Sequence, residues 1–453
     1  MTNRYRAAEP LLVGMLLMFV FVLPGSAQTQ LSLAVTEPET QQPSSTPPLT
    51  LTLQDALERA KKNSPDYRAA LTESALARED KIQSRAALMP SFNYTTSYLY
   101  TQGNGTPTGI FIANNAVHEY VAQGDVHQEF SLANVANYHR DAAAEALARA
   151  RSEIATRGLV VTVVQSYYGF VVAQRKYATA QRAEAEAQHF FDITEKLEHG
   201  GEVAHSDVIK AQIQLQGQQR QLQEAGLDMN RSRLDLAVLV FPDFRQDFSV
   251  VDDLQTPEPL PLFPEVAAAA GHKNPELGAA VAALRESNDE VTAAWNGFLP
   301  SLSIDYYYGI DAAQFATEDR FQHNNLGSSA LVTLQLPVWN WGANRSKLKQ
   351  ASLRRDQARV ELTATHRELL AKLHALFDEA QTAHSELESL NRSAELSAES
   401  LHLTTIRYQA GEASVLEVVD AQNTLTAARN ALDDGQSRYR LALAGLQTLT
   451  GTL

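Results

Sequence analysis

Apolar and polar residues alternate along four short segments of the chain, and each alternation adjoins a helical pattern. In the first segment, which follows Pro90, the even-numbered residues are mostly aromatic and the odd-numbered residues polar. A similar alternation follows Pro300, and in the second segment Phe130 and Leu132 share an apolar face. A period of two is typical of strands whose faces meet different surroundings. We predict strands at about 91–101, 120–132, 301–310 and 328–338.

Long helical patterns connect these strand pairs. Residues 135–197 contain no proline and only two glycines, Gly158 and Gly169, so they can form one helix of about 95 Å. A helix of this length needs neighbours to bury its apolar positions. The helices predicted at 65–89 and 204–240 together approach its length, and end to end they could run antiparallel to it.

A seven-residue apolar repeat marks the two helices that return from the far end. Small residues lie beside the large ones in the second of them, so that neighbouring helices can approach closely. The same repeat is also typical of an ordinary coiled coil. The large residues are Val208, Leu215, Leu222, Met229 and Leu236, and then Val418, Leu425, Leu432, Tyr439 and Leu446. The small ones are Ala421, Ala428, Gly435 and Ala442.

The two halves of the chain repeat each other at a spacing of 210 residues. Pro90 corresponds to Pro300, and Gly201 to Gly411. Such a constant spacing indicates an internal duplication. Each copy is predicted as helix, strand, loop, strand, long helix, glycine turn and helix. The first repeat spans 51–240, a linker spans 241–263 and the second repeat spans 264–453, with hairpin tips at about 198–204 and 408–414.

The N-terminus is typical of a secretory signal peptide. Arginines precede an apolar run that ends at Leu23, and small residues follow, so we expect residues 1–27 to be removed after Ala27. A membrane anchor is the alternative, but thirteen apolar residues are fewer than the ~20 that a spanning helix needs. Residues 28–50 are rich in Pro, Ser and Thr and are predicted to be a flexible lead-in to the capping box of Thr52 and Asp55.

Composition narrows the possible functions. The formal net charge of −15 argues against nucleic acid as a partner, and the lack of cysteine excludes disulfides and thiolate metal sites. The twelve histidines are scattered without ligand spacing, and no phosphate-binding, zinc-protease or nucleophile motif is present. We therefore predict no catalytic activity, no cofactor and no metal.

The strands have the length that crosses an outer membrane. Four strands cannot close a barrel, and open edges cannot face lipid. Three chains would supply twelve strands, whereas two would supply eight and leave a narrow lumen. We predict a mainly α fold with membrane β: a long antiparallel coiled-coil barrel of helices, and four transmembrane strands per chain that complete a 12-stranded barrel as a homotrimer in outer-membrane lipid. A soluble sandwich is the alternative for the strands, and a periplasmic coiled-coil scaffold without a pore is the alternative function.

Several stretches resemble the outer-membrane efflux protein family, the TolC-like ducts. They are KNPEL at Lys273, LPSLS at Leu299, LPVWNWGANRSKL at Leu336 and RYQAGEASVLEVVDAQNTL at Arg407, and the likeness covers nearly all of residues 50–453. The resemblance implies a channel of the cell outer membrane that extends into the periplasm. It implies transport of substrates from an inner-membrane transporter and a periplasmic adaptor, or membrane-fusion protein, to the exterior, in efflux or type I secretion.

The resemblance also implies two groups of functional residues at the hairpin tips. The adaptor-docking residues would be Gly200, Gly201, Glu202, Gly411, Glu412, Ala413 and Ser414. The alternative for the glycines is that they only permit the turns. Ala413 stands where some members have a basic residue that assists closure, and Leu197 and Glu198 replace an expected Arg and Tyr.

The second group would form a periplasmic aperture. In the family, acidic residues at the positions of Glu417 and Asp420 narrow the mouth, and a Tyr at the position of Tyr408 bonds an Asp at that of Asp207. Glu417 and Asp420 are three residues apart and would share one helix face. We expect the carboxylates of three chains to raise one another's pKa and to concentrate cations. The alternative is a pair of solvated helix charges.

Overall fold

The computed structural model describes residues 49–100, 118–256 and 258–451. The predicted signal peptide and residues 28–48 of the lead-in lie outside these ranges. The elements in chain order are β1 (Leu49–Leu51), α1 (Leu53–Asn63), α2 (Pro65–Ala86), β2 (Ser91–Tyr100), β3 (His118–Phe130), α3 (Leu132–His199), α4 (His205–Val240), β4 (Phe248–Val250), α5 (Phe263–Lys273), α6 (Pro275–Asn296), β5 (Ser301–Ala312), β6 (Leu326–Gln335), α7 (Ala343–Gln409) and α8 (Val415–Thr450).

The four predicted strands form one antiparallel sheet in the order β2-β3-β5-β6. Their bounds lie within three residues of those predicted. Leu132 belongs to α3 and not to the second strand, because the Ser131 hydroxyl accepts a hydrogen bond from the Ala133 N–H (3.1 Å) and begins the helix there. In the described residues, β2 and β6 each pair with one strand only and are the two open edges of the sheet.

The two faces of the sheet differ in chemistry, as the alternation predicts. Phe92 pairs with Val126, and Val126 with Tyr306, on a face where aromatic side chains are exposed. On the opposite face, Asn93 donates a hydrogen bond to Asp125 (3.1 Å), and His127 lies 2.5 Å from Asp305. The sheet therefore has one mainly apolar face and one mainly polar face.

The long helices are continuous. α3 has 68 residues and α7 has 67, and both run from the sheet to a hairpin turn. α2 and α4 pack against α3, whereas α6 and α8 pack against α7, and α3 also contacts α6 and α8. The predicted antiparallel rods are confirmed. Among the helices of the described residues, none is both long and apolar enough to cross a membrane.

The predicted heptad positions lie mostly in the helix interfaces. Val418, Leu425 and Leu446 are buried, whereas Leu222 and Leu432 are only partly buried. At the predicted small position Gly435, α8 approaches α7 so closely that a side-chain carbon would overlap the Leu390 side chain. The same closeness recurs at Gly445, outside the predicted set, where a side-chain carbon would lie 3.1 Å from Leu376. Small residues thus set the distance between α7 and α8.

The linker is more than a connection between repeats. Its strand β4 pairs in parallel with β1, which includes Leu49 and Thr50, the last two residues of the predicted lead-in, so the prediction that order begins near Thr52 is wrong for these two residues. Tyr167 of α3 donates to the carbonyl oxygens of Leu51 (3.2 Å) and Val251 (2.7 Å). We call this layer, formed by β1, α1, β4 and residues 251–256 and 258–262, the belt. It packs on the middle of α3 through a large apolar core.

Candidate functional site

The first hairpin tip is a glycine turn between α3 and α4. Gly201 has φ +74°, and its N–H donates to the Glu198 carbonyl (2.8 Å), while the Glu202 N–H donates to the Leu197 carbonyl (2.9 Å). This pair of hydrogen bonds is a Schellman motif, which satisfies the last carbonyls of a helix and favours glycine at the left-handed position.

The second tip repeats this turn between α7 and α8. Gly411 has φ +77°, its N–H donates to the Tyr408 carbonyl (3.0 Å), and the Glu412 N–H donates to the Arg407 carbonyl (2.8 Å). Side-chain carbons at Gly201 and Gly411 would meet open space. The backbone angle, rather than crowding, therefore calls for glycine at both tips.

The two tips differ in how the next helix begins. α8 starts with a capping box: the Ser414 N–H donates to Glu417 Oε1 (3.0 Å), and the Glu417 N–H donates to Ser414 Oγ (3.4 Å). The N-cap residue of α4 is Ala204, which offers no side-chain cap, and His205 Nδ1 instead lies 2.6 Å from Glu198 Oε1 across the turn. The S-x-x-E spacing at 414–417 was the sequence signal for this difference.

The predicted docking residues are accessible. Six of the seven are exposed and Ala413 is half-buried against the apolar cluster below the tips. That cluster brings all four helix ends together around Phe190, Ala211, Val415 and Val418. The tips therefore present exposed turns on a packed base.

Tyr408 lies in this base and pairs differently from the prediction. Its ring meets Phe190 edge-on at 5.1 Å, and its hydroxyl donates to Thr194 Oγ1 (3.3 Å), which is fully buried. Asp207 instead accepts a hydrogen bond from Lys210 (3.0 Å) at the start of α4. Burial raises the pKa of Tyr408, with the charge of Asp207 adding to the rise. The Thr194 position was not foreseen, because a threonine inside a long helix carries no pattern of its own.

Glu417 and Asp420 face one groove, as their spacing predicts. The groove, of about 400 Å³, lies between α7 and α8 and is also lined by Ser400 and Thr404. Hydrogen bonds from Ser414 hold the pKa of Glu417 below its usual range, and Arg407 Nη1 lies 3.7 Å from its carboxylate. Within one chain this carboxyl meets donors, so the predicted upward shift would need carboxylates from other copies.

The described part of the chain holds no group of three or more His, Asp or Glu side chains that could bind a metal ion.

A family model described as "Outer membrane efflux protein" matches residues 56–240 and 266–452. The alkaline protease secretion protein AprF of Pseudomonas aeruginosa is 22% identical over 417 residues, which cover 89% of this chain and 85% of AprF. The outer membrane protein TolC of Vibrio cholerae is 23% identical over 416 residues, covering 88% of this chain and 91% of TolC.

Solved structures give the same fold. The CmeC outer membrane channel of Campylobacter jejuni superposes with a TM-score of 0.76 at 18% identity, covering 88% of this chain and 85% of that one. The two matched ranges correspond to the two repeats separated by the linker.

Proposed function

Because this chain belongs to the outer membrane efflux protein family, we propose that three copies form a channel that receives substrates from an inner-membrane pump through a periplasmic adaptor. The family consists of transport channels of the outer membrane. The chain is accordingly an outer-membrane efflux or secretion channel that extends into the periplasm, and not a scaffold without a pore.

The open edges of the sheet are the observation that carries the trimer. β2 and β6 lie at opposite edges and run in opposite directions, so β6 of one copy can pair with β2 of the next in the same antiparallel manner. Three copies close twelve strands, and closure satisfies every edge in lipid. The exposed aromatic face then turns to the membrane and the polar face to the lumen.

The polar face of the sheet also suits a water-filled pore. Its described residues include acidic side chains but no lysine or arginine: Glu119, Asp125, Glu129, Asp305 and Asp311. His127 forms its contact with Asp305 on this face. A lumen lined in this way favours the passage of cations.

The glycine turns are the proposed docking surface for the adaptor. These turns lie at the ends of the two helical hairpins that are farthest from the sheet, and they are exposed. The four helix ends beneath them are packed together. A trimer presents six such turns in one ring. An adaptor can therefore bind the exposed backbone of the turns without disturbing the apolar cluster beneath them.

Gly411→Arg is expected to reduce chemical cross-linking to the adaptor by about tenfold or more, because a long charged side chain would project from the turn. Gly411→Ala is the matched control, since it carries the same strain at φ +77° without the bulk. Both variants should keep the mass of about three chains in detergent. Wild-type cross-linking of the arginine variant would contradict the docking assignment, and a monomeric wild-type protein would contradict the trimer.

The aperture is proposed to lie where Glu417 and Asp420 face the α7–α8 groove. Around a threefold axis these residues would contribute six carboxylates. Tyr408, with Asp207 nearby, would hold the two hairpins together beneath this ring through its contacts with Phe190 and Thr194.

The double variant Glu417→Gln with Asp420→Asn is expected to lower the cation-to-anion permeability ratio severalfold in planar-bilayer recordings and to weaken block by multivalent cations by on the order of tenfold. Glutamine still accepts the Ser414 hydrogen bonds, so the capping box is kept. Glu224→Gln with Asp228→Asn removes the same charge from exposed positions of α4 and is the control. Unchanged selectivity and block would assign both residues to an outer, solvated face.

A further inference from the structure

All three tryptophans of the chain lie where the helices meet the sheet. Trp295 is in the last turn of α6, whereas Trp339 and Trp341 lie between β6 and α7. Their exposed fractions are 54%, 75% and 89%, and the rings of Trp339 and Trp341 meet edge-on at 5.8 Å. A pair of tryptophans so exposed at the end of an open edge strand indicates a contact outside the single chain.

The backbone at Trp341 is in an unusual conformation for a bulky residue. Trp341 has φ +53° and Gly342 has φ +84°, and the Ala343 N–H donates to the Asn340 carbonyl (3.1 Å). Two positive φ angles in a four-residue turn favour Asn or Gly at the first central position, not tryptophan. Such a conformation persists where the surroundings fix it, often at a contact that has a function.

The direction of the strands shows what lies beside this turn. β6 runs towards α7, and β2 runs away from α2, so antiparallel pairing between copies sets the residues after β6 beside the residues before β2. Met89, 57% exposed, precedes β2, and Leu336 and Val338 are exposed after β6. Both sides of this junction therefore carry exposed apolar side chains in the described part of the chain.

We propose that Trp339 and Trp341 of one copy pack on Met89 of the partner subunit and on the end of that subunit's α2, which locks the barrel to the helices at each subunit boundary. The proposal rests on the threefold assembly proposed above. Thioether and indole make favourable contacts, and the contact continues the interface that the β6 edge begins. Lipid is the competing occupant, but contact with fluid lipid does not call for a tryptophan at a left-handed position.

Cysteine cross-linking tests the contact, because the chain has no cysteine of its own. Trp341→Cys with Met89→Cys should give covalent dimers and trimers with a short bifunctional reagent. The two positions lie at opposite edges of one chain's sheet, so a cross-link must join two chains. Trp295→Cys with Met89→Cys is the control and should stay monomeric on a denaturing gel, because α6 packs between α3 and α7 of its own chain.

Tryptophan fluorescence separates the partner subunit from lipid. In Trp295→Phe with Trp339→Phe, Trp341 is the sole tryptophan and is excited selectively over the tyrosines. Vesicles of brominated phosphatidylcholine quench tryptophans that touch lipid. The reference is Phe92→Trp on the exposed aromatic face, in a chain whose three native tryptophans are replaced by Phe. Quenching of Trp341 is expected to be at least about threefold weaker than quenching of this reference tryptophan.

The outcomes are distinct. Trimeric mass with strong quenching of Trp341, or with no cross-link to position 89, overturns this contact and leaves the proposed assembly standing. A monomeric mass overturns the assembly and the contact together. Cross-linked trimers with weak quenching support both.

Discussion

Gly309→Val is expected to abolish assembly of the trimeric channel while the long helices of the chain still form. Gly309 of β5 lies opposite Gln123 of β3, and a side-chain carbon there would overlap the carbonyl oxygen of Ala122 and the Cα of Gln123. Both of these atoms belong to the backbone of β3 and cannot move aside as a side chain could. The two strands therefore cannot stay paired and also accept the new side chain. Overpacking costs about 1–3 kcal/mol where side chains can adjust and more where they cannot, so we expect trimer yield to fall at least about tenfold.

Gly327→Val is the matched control for this prediction. Gly327 is the direct partner of Gly309 on β6, and a side-chain carbon at Gly327 meets no atom within 4 Å. The measurement is mass in detergent together with heat-modifiable migration of the outer-membrane fraction. The control should behave as wild type. A heat-modifiable trimer of normal mass for Gly309→Val would show that β3 and β5 are not paired as described.

Arg175→Met is expected to destabilise the helical barrel by about 3–5 kcal/mol. Arg175 of α3 donates to both oxygens of Asp252 in the belt (2.6 and 2.7 Å) and to Asp433 (3.1 Å) and Gln436 (2.6 Å) of α8. The side chains of Arg175 and Asp433 are only 16% and 13% exposed. Removing the guanidinium leaves the Asp433 carboxylate buried without a cation, which is the costly way to break a buried pair.

The same variant should show a defined pH dependence. Burial raises the pKa of Asp433, and Arg175 opposes that rise. A carboxyl whose folded-state pKa lies above its unfolded value costs stability when ionised. This cost falls as the pH drops below the folded-state pKa and is gone below the unfolded value. Without Arg175 the pKa rises further, so the loss of stability should be larger at pH 8 than at pH 5.

Thermal unfolding followed by helical circular dichroism measures both effects, with an expected fall in midpoint of about 5 °C or more at pH 8. Adding Asp433→Asn should restore part of the loss and remove its pH dependence. Lys176→Met is the control, because Lys176 and Asp434 form a more exposed pair worth about 0.5 kcal/mol. Equal losses for the two variants, or a loss independent of pH, would rule out a role for the buried pair.

The sequence predicts the strands and rods well because both carry periodic signals over many residues. β2 alternates over most of its length, and residues 135–197 contain no proline and only two glycines, so neither needs tertiary information. The bounds of the elements depend on single residues rather than on a period. The change at Leu132 depends on one hydroxyl, that of Ser131, which can either continue a strand or cap a helix.

The belt could not be predicted in the same way. β1 and β4 have three residues each, too few for an alternation to appear, and the segment that follows β4 is rich in proline. Their pairing brings together residues 199 positions apart, and only the packing of Tyr167 and its neighbours selects it. A short parallel pair of this kind is a product of tertiary contacts rather than local preference.

The site was predicted in part. The turns at Gly201 and Gly411 follow from glycine chemistry and the repeat, and the shared face of Glu417 and Asp420 follows from helical phase. The hydrogen-bond partner of Tyr408 does not follow from the sequence, because the hydroxyl of a buried ring forms a hydrogen bond with whichever polar group the packing brings near it. Here that group is Thr194, one helix away from the predicted Asp207.

The two hairpin tips differ in how the following helix is capped, and this difference limits how partner molecules can be arranged around the channel. In a trimer the six turns share one backbone geometry, so the ring has sixfold symmetry in shape. The capping box at Ser414 and the bare start at Ala204 alternate around it, so its symmetry in chemistry is threefold. A partner present in three copies finds each of its contacts repeated, whereas a ring of six identical molecules has to bind in two alternating ways.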